Sequence, residues 1–183
     1  MRFQLKHSSM RWASFLGAAA IYIYMLSVSL PKLTSYAGGL APFDMRPGGY
    51  NRQEALQVLQ ALGPDGRDYY LNHQLVLDIA YPALLALFIW QMLDFIARHH
   101  TNWWINFLKR VAWAAPLVMI FDYGENVLIA RMLLAENVTV DLVNMASTFS
   151  RAKAITTSLF LTLLLAAAMA YGWQRFRKRA KSG

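Results

Sequence analysis

Asp122, Glu125 and Asn126 stand at spacings of three and four within Phe121-Asp122-Tyr123-Gly124-Glu125-Asn126. On a helix they share one face. Two carboxylates and a carboxamide held together away from water can act as a general acid/base or as a proton or cation site. They can also serve as a polar network that fixes helix register. The stretch from Val111 to Leu134 is mostly apolar, and Arg110 and Arg131 bracket its core. About 21 residues of helix span about 31 Å, one hydrocarbon thickness of a bilayer. A carboxylate at that depth costs on the order of 2.5–3.5 kcal/mol on insertion scales, so each is expected to face inward and to have a partner.

The partners come from other segments. Asp78 stands four residues before Pro82, and Lys153 opens the last apolar run. Counted along straight helices, Asp78 lies about 30 Å from Arg98 and Lys153 about 33 Å from Arg175, both at the outer edge. Asp122 and Glu125 lie about 18 and 22 Å above Arg110, so Asp122 falls about 12 Å below Asp78. Glu125 is therefore the nearer partner for Asp78 or Lys153. Asp78, Asp122, Glu125, Asn126 and Lys153 are expected to converge on an outward-opening polar pocket lined by Tyr22, Tyr24, Tyr81, Thr156 and Thr157. Arg46 and Arg67, from the preceding loop, are expected to pair with Asp78 or Glu125. These seven polar residues are the expected ligand-binding set, and Asp122 and Glu125 are the candidates for catalysis.

The elements that must position them follow from composition. Of the 183 residues 57% are hydrophobic, and the mean hydropathy is positive. A soluble domain of this length needs more polar surface, so the expected class is all-α, a polytopic membrane four-helix bundle. The spans fall at about 12–31, 74–97, 110–134 and 153–174, with an extracytoplasmic loop at 32–73. Pro31 is expected to end the first run and Pro82 to bend the second. Ser35-Tyr36-Ala37 loosely fits a signal-cleavage site, but the first run is longer than a signal core, so it is read as a retained helix.

The net charge is +8, yet the basic residues cluster at the ends of apolar runs. That is what orientation in a membrane requires, and nucleic acid is not an expected partner. The N-terminal tail, the loop from Ala97 to Lys109 and the tail Arg175–Lys181 carry the positive charge. This predicts both termini in the cytoplasm of a bacterial inner membrane. Trp12, Trp90, Trp103, Trp104, Trp113 and Trp173 fall on the inner side, and Tyr36, Tyr50, Tyr69 and Tyr70 on the outer side. Asp94 and Arg98 have ion-pair spacing. The basic tail anchors topology and offers a surface to anionic headgroups.

The loop carries its own structure. Asn51-Arg52-Gln53-Glu54 reads as a capping box, with Leu56, Leu59 and Leu62 on one helical face, Gly63 closing that helix and Pro64 opening the next. Such a loop is expected to cap the outer end of the bundle. There is no cysteine, so disulfides and thiolate metal sites are excluded. His73 near Asp78 and the His99-His100 turn are too few for a metal site. No phosphate-binding loop, nucleophile elbow, zinc-protease or dinucleotide motif occurs, so neither a metal nor a cofactor is expected.

The Phe121-Asp122-x-x-Glu125-Asn126 element, with Asp78-x-x-x-Pro82 and Lys153, resembles a class of small four-helix bacterial membrane proteins. The resemblance covers most of the chain from Asp44 to Lys153 and implies four spans, but no substrate. The leading functional expectation is a protein that binds a small-molecule or lipid ligand, or an accessory membrane subunit. An enzyme acting on a lipid or isoprenoid through Glu125 or Asp122, with Lys153 or Arg67 holding an anionic group, is the alternative. A proton- or cation-coupled transporter ranks third, because four helices without an internal repeat offer little for alternating access. Membrane lipids are expected partners, and a homo-oligomer or membrane-complex partner suits so small a bundle, although no G-x-x-x-G interface stands out.

Overall fold

The computed structural model describes residues 2–99 and 104–180, and no strand occurs among them. The readings at His100, Trp103 and Lys181 lie outside the described residues. The helices are α1 (Arg2–Tyr24), α2 (Leu30–Tyr36), α3 (Arg52–Tyr69), α4 (Leu75–His99), α5 (Trp104–Ala114), α6 (Pro116–Leu134) and α7 (Val140–Ala180). They form four rods.

In the first rod, α1 continues into α2 through one π turn, Met25–Ser29. Pro31 does not end the rod; it occupies the first turn of α2. A missing N–H is tolerated in a first turn, and the wide turn before it relieves the clash with the preceding carbonyl. In the second rod, α3 starts at a complete capping box: Asn51 N donates to Glu54 Oε2 at 2.7 Å, and Glu54 N donates to Asn51 Oδ1 at 3.0 Å. Gly63, at φ 58°, breaks the helix ahead of Pro64. Ala55, Val58, Leu59 and Leu62 form the buried face, whereas Leu56 is exposed. A second π turn, Tyr70–Gln74, leads into α4.

The third rod is not the single helix expected over 110–134. Pro116 cannot donate to the ladder, so α5 stops and the chain crosses the break on short-range bonds, Ala115 N to Ala112 O and Val118 N to Ala115 O, each 3.1 Å. Arg110 and Asp122 therefore lie on different helices. The fourth rod, α7, has 41 residues and is about 61 Å long. It starts at Val140, so Lys153 lies well inside a helix that was expected to begin there.

The second rod is central: α1, α5, α6 and α7 all pack on α4, and α6 packs along α7. The α1 and α7 rods do not pack face to face, which leaves a cleft on that side. The core is split in two. One cluster joins Leu33, Phe43, Leu59, Tyr70, Ile129, Met132 and Val143, and a second, at the other end of the bundle, joins Ile89, Leu93, Ile96, Leu108, Val118 and Leu164. Asp78 of α4, Asp122, Glu125 and Asn126 of α6, and Ser150 and Lys153 of α7 fall between these clusters on their helices.

Three helical stretches, Ser9–Tyr36, Arg52–His99 and Val140–Ala180, are long and apolar enough to cross a membrane. Their outer faces carry exposed apolar side chains such as Ile79, Ile155, Leu159 and Met169. The helix α6 carries Asp122, Glu125 and Arg131 among its 19 residues.

Candidate functional site

One ammonium organises the polar layer. Lys153 Nζ on α7 lies 2.8 Å from Glu125 Oε2, 3.1 Å from Asp122 Oδ2 and 4.0 Å from Asp44 Oδ1. The Asp122 and Glu125 side chains are each 2% exposed. Buried carboxylates are tolerated only when their remaining lone pairs are also met, and here most of them are. Ser150 Oγ lies 2.5 Å from Glu125 Oε1 as its donor, and Asn126 Nδ2 donates to Asp122 Oδ1 at 3.1 Å. The same Asn126 nitrogen donates to the Asp78 carbonyl at 3.2 Å, tying α6 to α4. The Tyr70 hydroxyl donates to Asp44 Oδ2 at 2.5 Å.

Asp78 is held from the other side. Gln74 Nε2 donates to Asp78 Oδ2 at 2.9 Å, and Ser29 Oγ donates to Gln74 Oε1 at 2.6 Å. Ser29 and Gln74 are the last residues of the two π turns, and both are fully buried. The two widened turns thus bring a hydroxyl and an amide to the same level, a placement that regular helix would not give.

Two glycines let the parts approach. A Cβ at Gly124 would run into the Phe149 ring, so the small residue between Asp122 and Glu125 allows α7 to come close enough for Lys153 to reach both. Gly49 has φ 82°, and a Cβ there would meet the Ser147 hydroxyl. That turn lies directly on α7, with Tyr50 N donating to Ser147 Oγ at 2.9 Å. Burial pushes the Tyr50 phenol well above its ordinary range, so it stays a neutral hydroxyl at physiological pH.

These groups border a cavity of about 390 Å³. Asp78, Tyr81, Asp122 and Glu125 form its floor, the turn Asp44–Pro47 its roof, and Tyr22, Met25, Leu26 and Leu30 one wall. Lys153, Ala154, Thr157 and Ser158 form the other wall, so the cavity sits in the cleft between α1 and α7. Tyr22 stacks on Tyr81 with ring centres 5.4 Å apart at its edge.

The sequence-expected residues divide clearly. Asp78, Asp122, Glu125, Lys153 and Arg46 reach the cavity, and Asn126 braces it from behind. Arg46 does not pair with Asp78 or Glu125: its Nε donates to Ala41 O at 2.9 Å, and its nearest carboxylate is Glu54 at 4.0 Å. Arg67 is elsewhere, donating to the carbonyls of Leu59 at 3.2 Å and Leu133 at 3.1 Å. The break at Gly63 frees carbonyls near the helix end, and a guanidinium is the side chain that fills that need. Tyr24 hydrogen-bonds His73 at 3.2 Å, and Tyr24 and Thr156 are not among the cavity-lining residues. Asp78 and Asp122 border the same cavity, and Asn126, one turn from Asp122, bonds the Asp78 carbonyl, so the two levels lie closer than counting along a straight helix through Pro116 implies.

Asp44, Ser150, Gln74, Ser29 and Tyr70 were not foreseen as site residues. Asp44 had a signal, an acid between Pro42 and Pro47 in a turn-dense loop. The others are ordinary polar residues whose role comes only from tertiary contact. No group of residues suited to holding a metal ion occurs among the described residues. No protein-family model, curated protein or solved structure matches this chain. The site must be read from its own geometry: Asp44, Asp78, Asp122 and Glu125 around a single ammonium, beside a cleft walled by apolar side chains.

Proposed function

We propose that this is a four-span protein of the bacterial inner membrane, both termini cytoplasmic, whose outward-facing cavity binds a small or lipidic ligand. The three long apolar helices and their exposed apolar faces support the membrane setting. The distribution of Lys and Arg supports the orientation. The observation that carries the ligand reading is the position of the cavity. It lies in the cleft between α1 and α7, with a charged floor and an apolar wall. An amphipathic molecule could enter sideways from the lipid, with its head on the floor and its chain along Tyr22, Leu26 and Leu30. Four carboxylates against two cations, Lys153 and Arg46, favour a head that is cationic or rich in hydrogen-bond donors.

The enzyme reading ranks second. Both oxygens of Glu125 are engaged, by Ser150 and Lys153, which describes a held group more than one free to shuttle a proton. The deciding experiment is native mass spectrometry of the protein extracted gently from its own membrane, wild type against Asp122→Asn/Glu125→Gln. A specific co-purifying lipid or small molecule, lost in the variant, is the expected result. An intact but empty protein in both samples would sink the ligand reading and leave a structural polar network.

A further inference from the structure

A second cavity, also of about 390 Å³, lies at the opposite end of the bundle between α1 and α4, bordered by Arg11, Gln91, Asp94, Phe95, Arg98 and His99. Gln91 is about 20 Å along α4 from Asp78, so the two cavities are separate. The charge here has the opposite sign. Two guanidiniums face one carboxylate, and the imidazole Nδ1 of His99 sits 2.7 Å from the Phe95 carbonyl.

How those groups are engaged matters more than their number. The Arg11 guanidinium lies over the Phe95 ring, 4.2 Å from its centre. No carboxylate among the described residues lies within ion-pair distance of it. Arg98 uses Nε to bond Asp94 at 2.8 Å. Gln91 is 7% exposed and receives the Ser14 hydroxyl on Oε1 at 3.1 Å, while its Nε2 has no partner among the described residues. A buried amide nitrogen without an acceptor is rare and needs an explanation. An aromatic-stacked guanidinium without a carboxylate is an anion site in waiting, since its planar fork matches phosphate oxygens. Met10 and Trp90 supply an apolar rim.

We propose that this cavity binds a phosphate ester anion, with Arg11 and Arg98 ligating the phosphate oxygens and Gln91 Nε2 donating a third hydrogen bond. The phosphate can belong to a phospholipid headgroup or to a free phosphate compound; the chemistry is shared. The proposal is independent of the outer cavity and of the ligand reading made for it.

The test uses the full-length protein in detergent and native mass spectrometry with added dioleoylphosphatidylglycerol or dioleoylglycerol, which has the same tails and no phosphate. Wild type is expected to retain one phosphatidylglycerol and no dioleoylglycerol. Retention is expected to fall at least tenfold in Arg11→Gln and in Gln91→Glu, which puts a carboxylate where the amide was. It is expected to persist in Arg110→Gln, an exposed basic residue of α5 outside the cavity. Arg11→Lys keeps the charge without the fork and should give an intermediate loss, which covers the case in which Arg11→Gln fails to fold. Displacement by millimolar inorganic phosphate would assign the site to a free phosphate, and resistance to it would assign it to the lipid ester; both keep the proposal. Equal losses in Arg110→Gln and Arg11→Gln would reduce it to diffuse surface charge, and retention unchanged in Arg11→Gln and Gln91→Glu would overturn it.

Discussion

The two cavities have the same volume, about 390 Å³, and differ in how their charges are held. At one end of the bundle Lys153 of α7 meets Asp122 and Glu125 of α6 and Asp44 of the loop, while Asp78 is secured through Gln74 and Ser29. The Lys153 links cross between rods, and the local Gln74–Asp78 bond is itself braced from the first rod by Ser29. At the opposite end, around Arg11 and Arg98, the bonds that occupy charge are local: Arg98 to Asp94 and His99 to the Phe95 carbonyl, each four residues apart on α4. Charge tied across rods becomes part of what holds the fold. Charge tied along one helix leaves the fold nearly indifferent and the charge available to a ligand.

That contrast can be broken by mutation, most severely at Lys153. Lys153→Met leaves two carboxylates, each 2% exposed, with no cation. The expected loss is about 3–5 kcal/mol, read from denaturant unfolding in micelles. Adding Asp122→Asn and Glu125→Gln should recover much of it, because the uncompensated charge is then gone. If Lys153→Met unfolds like wild type, the Lys153 charge cluster is not a structural element. Gly124→Ala tests the close approach that the cluster needs. The added methyl must displace the Phe149 ring, and a loss of about 1–3 kcal/mol is expected in the same assay.

Ser150→Ala removes the donor to Glu125 Oε1 and should cost about 1–3 kcal/mol, the range for a buried acceptor left unmet. The smallest effects belong to the Arg98 end. Asp94→Asn breaks only a partly exposed pair and should change stability by less than about 0.5 kcal/mol. A loss of 2 kcal/mol or more at Asp94 would erase the distinction between the two ends.

The sequence was legible where local rules decide. Hydropathy is enough to call an all-helical chain. The capping box at Asn51 and Glu54, the break at Gly63 and the Asp94–Arg98 pair each need only a few neighbouring residues. The juxtaposition of Asp122, Glu125 and Lys153 was also readable, because buried charge requires a partner and Lys153 was among the few available. What failed was geometry that accumulates along a rod. Counting heights along straight helices ignored Pro116, and Pro31 was given a stop that the π turn beside it cancels. The widened turns at Met25–Ser29 and Tyr70–Gln74 have no sequence signature of their own, so Ser29 and Gln74 stayed invisible. The same limit applies to Arg67, whose charge pointed to a carboxylate while the nearby helix ends offered carbonyls.

The turn at Gly49 is seated so closely on α7 that the strip bearing Asp44 and Arg46 is fastened to the rod that carries Lys153. The same strip is fastened to the second rod as well, where the Tyr70 hydroxyl donates to Asp44 Oδ2. Ceiling, ammonium and floor are thus held together, and the width of the doorway is set by where the first rod stands against α7. In the proposed membrane setting, a molecule from the aqueous side would meet that ceiling, and the doorway would face the lipid.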